Sequence, residues 1–279
     1  MVFYFTATGN SLYVAKQLDE ERLSIPQEMN RENRHYKAER IGIVCPLFEF
    51  EIPSLVKDFI RDSEFEAGYF YLVVTYGMHH GGVAERTQAW LQSIGKAADY
   101  VNTIIMHDNA LIVFDMDQQR SVEAEKQVDA HIDAIRSDIA AKRVMVQQAP
   151  ADEIDFYQNF VAWIKKTGPM YAFPLYTVSE SCVGCSTCTL VCPRGCIHLE
   201  DKRPVWDYSR CANCMACIQA CPTKAIQFIT VKEPNPDARY RNPHIALKEI
   251  IQAHRQDGMK GDIPSGQGGS ADAEAGHLQ

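Results

Sequence analysis

Two stretches of this chain carry the same arrangement of cysteines. The first reads Cys182-Val-Gly-Cys-Ser-Thr-Cys-Thr-Leu-Val-Cys-Pro193, and the second reads Cys211-Ala-Asn-Cys-Met-Ala-Cys-Ile-Gln-Ala-Cys-Pro222. In each stretch three cysteines stand at every third position, and a fourth follows four positions later, directly before a proline. The stretches align without a gap, so they form an internal repeat that holds eight of the 10 cysteines.

This spacing is typical of a protein that binds two 4Fe–4S clusters. A cubane cluster needs one thiolate on each of its four irons, and three closely spaced cysteines on one loop reach only three of them. In two-cluster proteins the cysteine before the proline ligates the other cluster. The predicted ligand sets therefore cross between the two halves of the repeat. One set is Cys182, Cys185, Cys188 and Cys221, and the other is Cys211, Cys214, Cys217 and Cys192.

Disulfide bonds and zinc are the alternative uses of such cysteines. Met1 leads directly into an apolar strand pattern without the basic segment of a secretory signal, which predicts a cytoplasmic protein with reduced thiols. Structural zinc usually takes pairs of Cys-x-x-Cys, which leaves the third cysteine of each run without a role. Outside the repeat, Cys196 aligns with Ala225 and is predicted to be a packing residue rather than a ligand.

The cysteine repeat occupies only a small part of the 279 residues, so the chain has room for a second domain of ordinary size. A net charge of −8 disfavours nucleic-acid binding through phosphate contacts. No apolar run approaches the roughly 18 residues that indicate a membrane span. The predicted parts are a first domain at 1–167, a linker at 168–176, a cluster domain at 177–232, a C-terminal docking segment at 233–257 and a disordered tail at 258–279.

The first 150 residues alternate between short apolar runs and amphipathic stretches. Such alternation predicts an α/β fold with a parallel sheet covered by helices on both faces. The predicted strands are 2–5, 41–45, 70–75 and 101–106, and the predicted helices are 11–20, 54–61, 84–94 and 122–142. Residues 24–38 are polar and give little pattern for a further strand. Downstream, short helices are expected at 156–166 and 245–254.

The loop after the first predicted strand is Thr6-Ala-Thr-Gly-Asn-Ser11, and it leads directly into a helix. Backbone N–H groups and hydroxyls of such a loop converge on one oxyanion, the glycine permits a tight turn, and the helix N-terminus adds partial positive charge. The alternative is a plain helix cap, because Thr, Asn and Ser all cap helices. The candidate phosphate-binding residues are Thr6, Thr8, Gly9, Asn10 and Ser11.

This loop, placed after a strand that starts at residue 2, resembles the FMN phosphate loop of flavodoxins. From residue 1 to about 255 the chain is similar to the flavodoxin–ferredoxin fusion proteins of anaerobes, the EFR-type ferrodoxin family. The resemblance implies a flavodoxin-like doubly wound parallel sheet, followed by a small α+β two-cluster ferredoxin domain. It also implies that the loops at 46–53 and 75–82 hold the isoalloxazine ring, with Phe48, Tyr76 and Gly77 as candidate contacts.

The two ring loops depart from those of ordinary flavodoxins because neither contains tryptophan. Phe50 is a further aromatic side chain in the first of them, and either Phe48 or Tyr76 could instead be a core residue at the end of a strand. His79 and His80 are candidate proton partners for a reduced flavin, although adjacent histidines in a glycine-rich loop are more often solvated. Asn109 either caps a helix or closes the flavin site.

The expected function is electron transfer between FMN and two 4Fe–4S clusters, linking an external electron donor to an external acceptor. Each cluster carries one electron and a flavin takes one or two, so the fusion could divide a two-electron couple into single steps. The alternative is a flavin-dependent reductase of a small substrate, with His79, His80 and Tyr76 as local proton donors. A redox sensor is disfavoured because the sequence has no output module. A carrier is favoured over a stand-alone enzyme.

Overall fold

A computed structural model describes residues 1–169 and 173–255 of the chain. Its first part alternates strands and helices along the sequence. The strands are β1 (Val2–Tyr4), β2 (Arg22–Ser24), β3 (His35–Ala38), β4 (Ile41–Pro46), β5 (Glu64–Ala67), β6 (Phe70–Tyr76), β7 (Tyr100–Ile105) and β8 (Met145–Val146). The helices are α1 (Asn10–Leu18), α2 (Ile25–Glu28), α3 (Ser54–Asp62), α4 (Val83–Ser93), α5 (Met116–Ser121), α6 (Val128–Ala140) and α7 (Ala151–Thr167), with a 3₁₀ turn at Glu123–Lys126 between α5 and α6.

Six of these strands form one parallel sheet in the order β2-β1-β4-β6-β7-β8. Numbered within that sheet, the strands run 2-1-3-4-5 and end on one further short strand, which is the strand order of flavodoxins. The direction of winding changes between β1 and β4, and ligands of such sheets bind at the carboxyl ends of the strands beside that point. β3 and β5 pair with each other outside the main sheet.

Helices cover both faces of the sheet, which is why its central strands are apolar at nearly every position. Successive side chains of a strand point to opposite faces, so β1 divides between two clusters of buried residues. Tyr4 packs with Val44 and Val73 on one face, and Phe3 packs with Ile43 and Leu72 on the other. Full burial of such an apolar side chain contributes about 1.5–3 kcal/mol, so these two clusters hold the carboxyl ends of the strands in place.

The second part is built from two short antiparallel strand pairs and two one-turn helices. Its elements are β9 (Tyr176–Val178), α8 (Thr187–Leu190), β10 (Ile197–Glu200), β11 (Arg203–Trp206), α9 (Ala216–Gln219) and β12 (Ile226–Phe228). β10 pairs with β11, and β9 pairs with β12. The residue before α8 and the residue before α9, Ser186 and Met215, both adopt the left-handed conformation, with φ of 64° and 60°. The sequence repeat is therefore also a structural repeat.

The segment after β12 returns to the first part and ends in α10 (Leu247–His254). Lys16 of α1 forms an ion pair with Glu249 of α10 at 2.8 Å. The buried imidazole of His254 lies 2.7 Å from the carbonyl oxygen of Thr6 and 2.8 Å from that of Val191. The segment was expected to fold back on one of the domains, and in the structure it contacts both.

Several element boundaries differ from the sequence-based predictions. The single helix predicted over 122–142 is divided, because Gln127 adopts a left-handed φ of 46° between the 3₁₀ turn and α6. The short helix predicted at 156–166 is the 17-residue α7. The polar stretch 24–38 forms α2 and β3, while the second strand of the main sheet is β2. The predicted tail at 258–279, and part of the predicted linker, lie outside the described residues. Within the described residues, no helix is both long and apolar enough to cross a bilayer.

Candidate cofactor sites

A cavity of about 410 Å³ lies at the carboxyl ends of β1, β4, β6 and β7. This position is the one at which open parallel sheets bind their ligands. We call it the flavin cavity, after the ligand that the sequence predicts. The predicted residues that line it are Thr6, Thr8, Asn10, Ser11, Phe48, Phe50, Tyr76, Gly77, His79 and Asn109.

The loop between β1 and α1 contributes several polar side chains to the lining of this cavity. Thr6 Oγ1 accepts a hydrogen bond from the N–H of Gly9 at 3.1 Å, and the hydroxyl of Ser11 lies 2.9 Å from that of Thr75. The first N–H groups of α1 have no acceptor within the helix, which leaves them available to an anion. Asn109 donates a hydrogen bond from Nδ2 to Thr8 Oγ1 at 2.5 Å, so its side chain contacts this loop directly.

Gly9 has a conformational role in the loop. Its φ of 105° is one that residues with a side chain rarely adopt. A Cβ atom at this position would lie 3.0 Å from the Cβ atoms of both Asn242 and Ile245. Gly9 does not line the flavin cavity itself, so its contribution is to turn the chain while the C-terminal segment packs directly behind it.

The two ring loops contribute aromatic side chains in different ways. Phe48 lines the cavity and also packs edge-on against buried Phe5, with centroids 6.0 Å apart. Phe50 contacts α7, where its ring lies 4.8 Å from that of Phe160. Tyr76 lines the cavity, and burial raises the pKa of its hydroxyl. Phe48 is therefore both a core residue and a cavity residue, which are the two roles that the sequence left open.

The adjacent histidines of the glycine-rich loop lie in different environments, because only His79 lines the flavin cavity. His79 lines the cavity, and its Nδ1 lies 3.1 Å from Glu153 Oε1. His80 does not line the cavity. Burial lowers the pKa of His80, so its imidazole is neutral at pH 7. The prediction that such histidines are solvated is wrong for His80, which is 6% exposed.

Several side chains that line the cavity were not identified from the sequence, among them one histidine and three aromatic residues. His107 follows β7 and stacks on Tyr240, with ring centroids 3.6 Å apart and an interplanar angle of 8°. Neither of its ring nitrogens has a hydrogen-bond partner among the described residues. Burial, together with the charges of Lys126 and Arg120, lowers its pKa to about 3. The other three are Phe156, Phe160 and Trp163 of α7, whose aromatic spacing of four and then three residues was the signal that could have found them.

The structure gathers the eight cysteines of the repeat into two groups, each around a small cavity. We call the first the distal group and the second the proximal group. The distal group is Cys182, Cys185, Cys188 and Cys221. The proximal group is Cys192, Cys211, Cys214 and Cys217. Each group contains one cysteine from the other half of the repeat, and each holds four thiols, the number that a cubane needs. The residues present thus suit a cluster at both positions.

Equivalent backbone amides contact one sulfur atom in each group. The N–H of Ala225 donates to Cys221 Sγ at 3.2 Å, and the N–H of Cys196 donates to Cys192 Sγ at 3.4 Å. Such amide contacts stabilise thiolates and tune the potential of a bound cluster. Cys196 is buried, as expected of a packing residue, yet it also lines the cavity of the proximal group, and its Sγ lies 3.4 Å from Cys192 Sγ.

The proximal group and the flavin cavity share a wall. Residues 212–215, which include Cys214, line the flavin cavity, while Cys214 also lines the cavity of the proximal group. The distal group lies at the surface, because Cys185 is exposed and Val183 beside it is 67% exposed. The three candidate sites therefore follow one another from the carboxyl edge of the sheet to the surface of the second part.

Comparisons with known proteins identify the second part. The family model of the 4Fe-4S dicluster domain matches residues 181–239. The chain is 40% identical to pyruvate synthase subunit PorD of Methanothermobacter marburgensis over 63 residues, which are 23% of this chain and 74% of that protein. It is also 40% identical to an uncharacterized ferredoxin of Methanocaldococcus jannaschii over 62 residues, which are 21% of this chain and 80% of that protein.

One similar solved structure is that of a Bacteroides uniformis protein described as a flavoprotein. The match covers 43% of this chain and 94% of that chain, at 13% identity and a TM-score of 0.31. The assignment of the first part rests instead on its strand order, β2-β1-β4-β6-β7. The chain therefore belongs to the two-cluster 4Fe–4S ferredoxin family through its second part, which is joined to a flavodoxin-like α/β domain.

Proposed function

We propose that this chain passes electrons between an FMN in the flavin cavity and two 4Fe–4S clusters, and so links an external electron donor to an external acceptor. One observation carries the proposal. Residues 212–215 of the proximal cysteine loop line the same cavity as the loop from Thr6 to Ser11. A flavin in this cavity would therefore contact the loop that holds the nearer cluster, without any intervening layer of protein.

The cavity suits FMN in size and in the distribution of its polar groups. Its volume of about 410 Å³ lies within the usual range for cofactor sites, roughly 300–1,000 Å³. The loop between β1 and α1 contributes hydroxyls and free helix N–H groups that suit a phosphate. The two ring loops contribute aromatic side chains, including Phe48 and Tyr76, that suit a flat ring. Bound FMN would supply the one-electron and two-electron chemistry, while the protein supplies binding and orientation.

We assign the proximal group as the ligands of the cluster that exchanges electrons with the flavin. The distal group would then hold the cluster that meets an external partner, because Cys185 is the exposed member of the eight. The two groups adjoin each other, since each includes a cysteine from the other half of the repeat. This order, flavin, proximal cluster, distal cluster and partner, would divide a two-electron couple into single-electron steps.

The reductase alternative requires a second small molecule to reach the flavin ring. Three aromatic side chains of α7 line the cavity on the side of the glycine-rich loop, and they reduce the space for such a substrate. The carrier function needs no such substrate pocket, because electrons pass between the flavin and the proximal cluster through the shared wall. The geometry therefore favours the carrier.

The first experiment is to purify the protein without oxygen and to measure iron, acid-labile sulfide and flavin in one sample. About eight irons and one FMN per chain are expected. The flavin is then photoreduced by a light flash in the presence of EDTA, which is oxidised as the sacrificial electron donor, and the clusters are followed by their absorbance and by electron paramagnetic resonance. Transfer within one chain predicts a first-order rate that does not change when the protein is diluted.

Thr8→Val provides the comparison without bound flavin. It keeps the volume of the side chain and removes a hydroxyl from the phosphate loop. This variant should keep its iron and lose FMN affinity, and the flash should then no longer reduce the clusters. A rate that rises with protein concentration would show transfer between molecules and would contradict the proposal. Full iron content without flavin, even after addition of FMN, would also contradict it.

A further inference from the structure

Helix α7 places three aromatic side chains along one side of the flavin cavity. Phe156, Phe160 and Trp163 are spaced by four and three residues, so they lie on one face of the helix. All three line the cavity, and Phe156 and Trp163 remain 42% and 47% exposed. No residue of α7 is buried. Large aromatic side chains gain stability when they are covered, and nothing in the described ranges 1–169 and 173–255 fully covers this face.

The same helix is fastened to the glycine-rich loop through one carboxylate. Glu153 Oε2 accepts hydrogen bonds from the N–H groups of His80 and Gly81 at 2.9 and 2.8 Å, and its other oxygen faces His79. Burial alone would raise the pKa of Glu153, but the bonds from Gly81 and His79 hold it below its usual value. The carboxylate is therefore charged at neutral pH and remains bound to the loop.

Aromatic contacts complete the attachment of α7. The guanidinium of Arg86 lies 3.8 Å from the centre of the Tyr157 ring, and His79 stacks on Phe156 with centroids 3.9 Å apart. Phe50 of the other ring loop lies 4.8 Å from Phe160. Both loops that are predicted to hold the flavin ring thus contact α7, and they do so at the side chains that line the cavity.

We propose that α7 is an aromatic lid on the flavin cavity, in which Phe160 and Trp163 stack against the isoalloxazine ring and Glu153 fastens the lid to the glycine-rich loop. The inference rests on the proposed binding of FMN and names the residues that cover its ring. It also accounts for the missing tryptophan of the ring loops, because Trp163 reaches the cavity from a later helix. On the side that α7 covers, such a flavin would be screened from small dissolved molecules, while it would exchange electrons with the proximal cluster through the shared wall.

The test is the affinity of the cluster-loaded protein for FMN, measured by the loss of flavin fluorescence on binding. Trp163→Ala should weaken binding about 10-fold, and Phe160→Ala by a similar factor, because each removes a stacked ring. Trp163→Phe retains a ring and should bind within about threefold of the wild-type protein. Gln158→Ala, an exposed position on the same helix that does not line the cavity, is the matched control and should bind like the wild type.

A second readout distinguishes stacking from a general loss of structure. Addition of FMN should quench tryptophan emission in the wild-type protein and in Trp90→Phe, and most of this quenching should be absent in Trp163→Phe. If wild-type protein binds FMN and Trp163→Ala binds it equally well, the lid proposal is wrong and the FMN proposal stands. If the wild-type protein binds no FMN at all, the proposed function fails, and the lid proposal fails with it.

Discussion

Gln219 donates a hydrogen bond from its side-chain amide to the carbonyl oxygen of Asn109, 2.9 Å away. Gln219 lies on α9 between two cysteines of the repeat, and Asn109 lines the flavin cavity. The oxygen of the same amide, Oε1, accepts a hydrogen bond from the N–H of Tyr240 at 2.7 Å. One buried side chain thus joins the cluster-bearing helix, the flavin cavity and the C-terminal segment.

Substitution of Gln219 by alanine should therefore destabilise the association of the two parts of the chain. It leaves the carbonyl of Asn109 and the N–H of Tyr240 without partners, and each unpaired buried group costs about 1–3 kcal/mol. We expect the free energy of unfolding to fall by about 2–4 kcal/mol in anaerobic urea titrations. Gln158→Ala, at an exposed position, should change it by less than about 0.5 kcal/mol. Equal effects of the two substitutions would show that this hydrogen-bonded link contributes little.

Gly9→Ala should disrupt the phosphate loop through a steric clash as well as through backbone strain. The new Cβ would lie 3.0 Å from atoms of Asn242 and Ile245. Gly95→Ala is the matched control, because Gly95 also has a positive φ, of 74°, but a Cβ there meets no atom within 4 Å. Gly95→Ala should cost about 1–2 kcal/mol from strain alone. Gly9→Ala should cost more and should also weaken FMN binding, which a fluorescence titration measures. Unchanged FMN binding in Gly9→Ala would contradict the assigned role of this loop.

The parts of the structure that the sequence predicts are those encoded by nearby residues. The spacing of cysteines in each run is a local pattern that the geometry of a cluster requires. The loop from Thr6 to Ser11 likewise combines glycine, hydroxyl side chains and a helix start within six residues. Alternation of apolar strands and amphipathic helices was enough to indicate the parallel sheet, which the strand order of the structure confirms.

What the sequence did not predict depends on contacts between distant residues. The N–H of Asn242 donates a hydrogen bond to the carbonyl oxygen of Thr8, which lies 234 positions earlier in the sequence. No local sequence pattern predicts that the C-terminal segment covers the phosphate loop. The approach of α7 to the cavity depends on Glu153 reaching the N–H groups of the glycine-rich loop. In the sequence, His107 is a polar residue after a strand with no pattern that marks it as special. Its contact with Tyr240 arises only in the folded protein.

His107 should make the stability of the protein depend on pH. In the unfolded chain it binds a proton near pH 6.5, but burial lowers its pKa in the folded protein to about 3. Between these values the unfolded state binds more protons, so stability falls as the pH falls from about 6.5 towards 3. His107→Phe keeps a ring to stack on Tyr240 and removes the titration. From pH 7 to pH 5 the wild type should lose about 2 kcal/mol relative to this variant.

Anaerobic urea titrations of both proteins at the two pH values measure this difference. Other groups that titrate in the same interval affect both proteins equally, so they cancel in the comparison. Oε2 of Glu123 lies 3.6 Å from His107 Nδ1, which is too far for a hydrogen bond that would retain the proton. A difference between the two proteins that stays constant with pH would show that the pKa of His107 is not lowered in the folded protein.

Cys196 and Cys192 lie side by side, and substitution should separate their roles. The equivalent of Cys196 in the other half of the repeat is Ala225, whose N–H contacts Cys221 Sγ as that of Cys196 contacts Cys192 Sγ. An alanine therefore supports the same backbone contact without a thiol. Cys196→Ala should keep about eight irons per chain, whereas Cys192→Ala should lose about four. Iron and acid-labile sulfide, measured without oxygen, report both results.

Cys45→Ala provides the control for loss of a buried thiol, because Cys45 is fully buried in the core of the sheet and lines neither cysteine cavity. It should keep all of its iron and lose only stability. Loss of half the iron in Cys196→Ala, with Cys45→Ala unaffected, would instead make Cys196 a ligand of the proximal cluster.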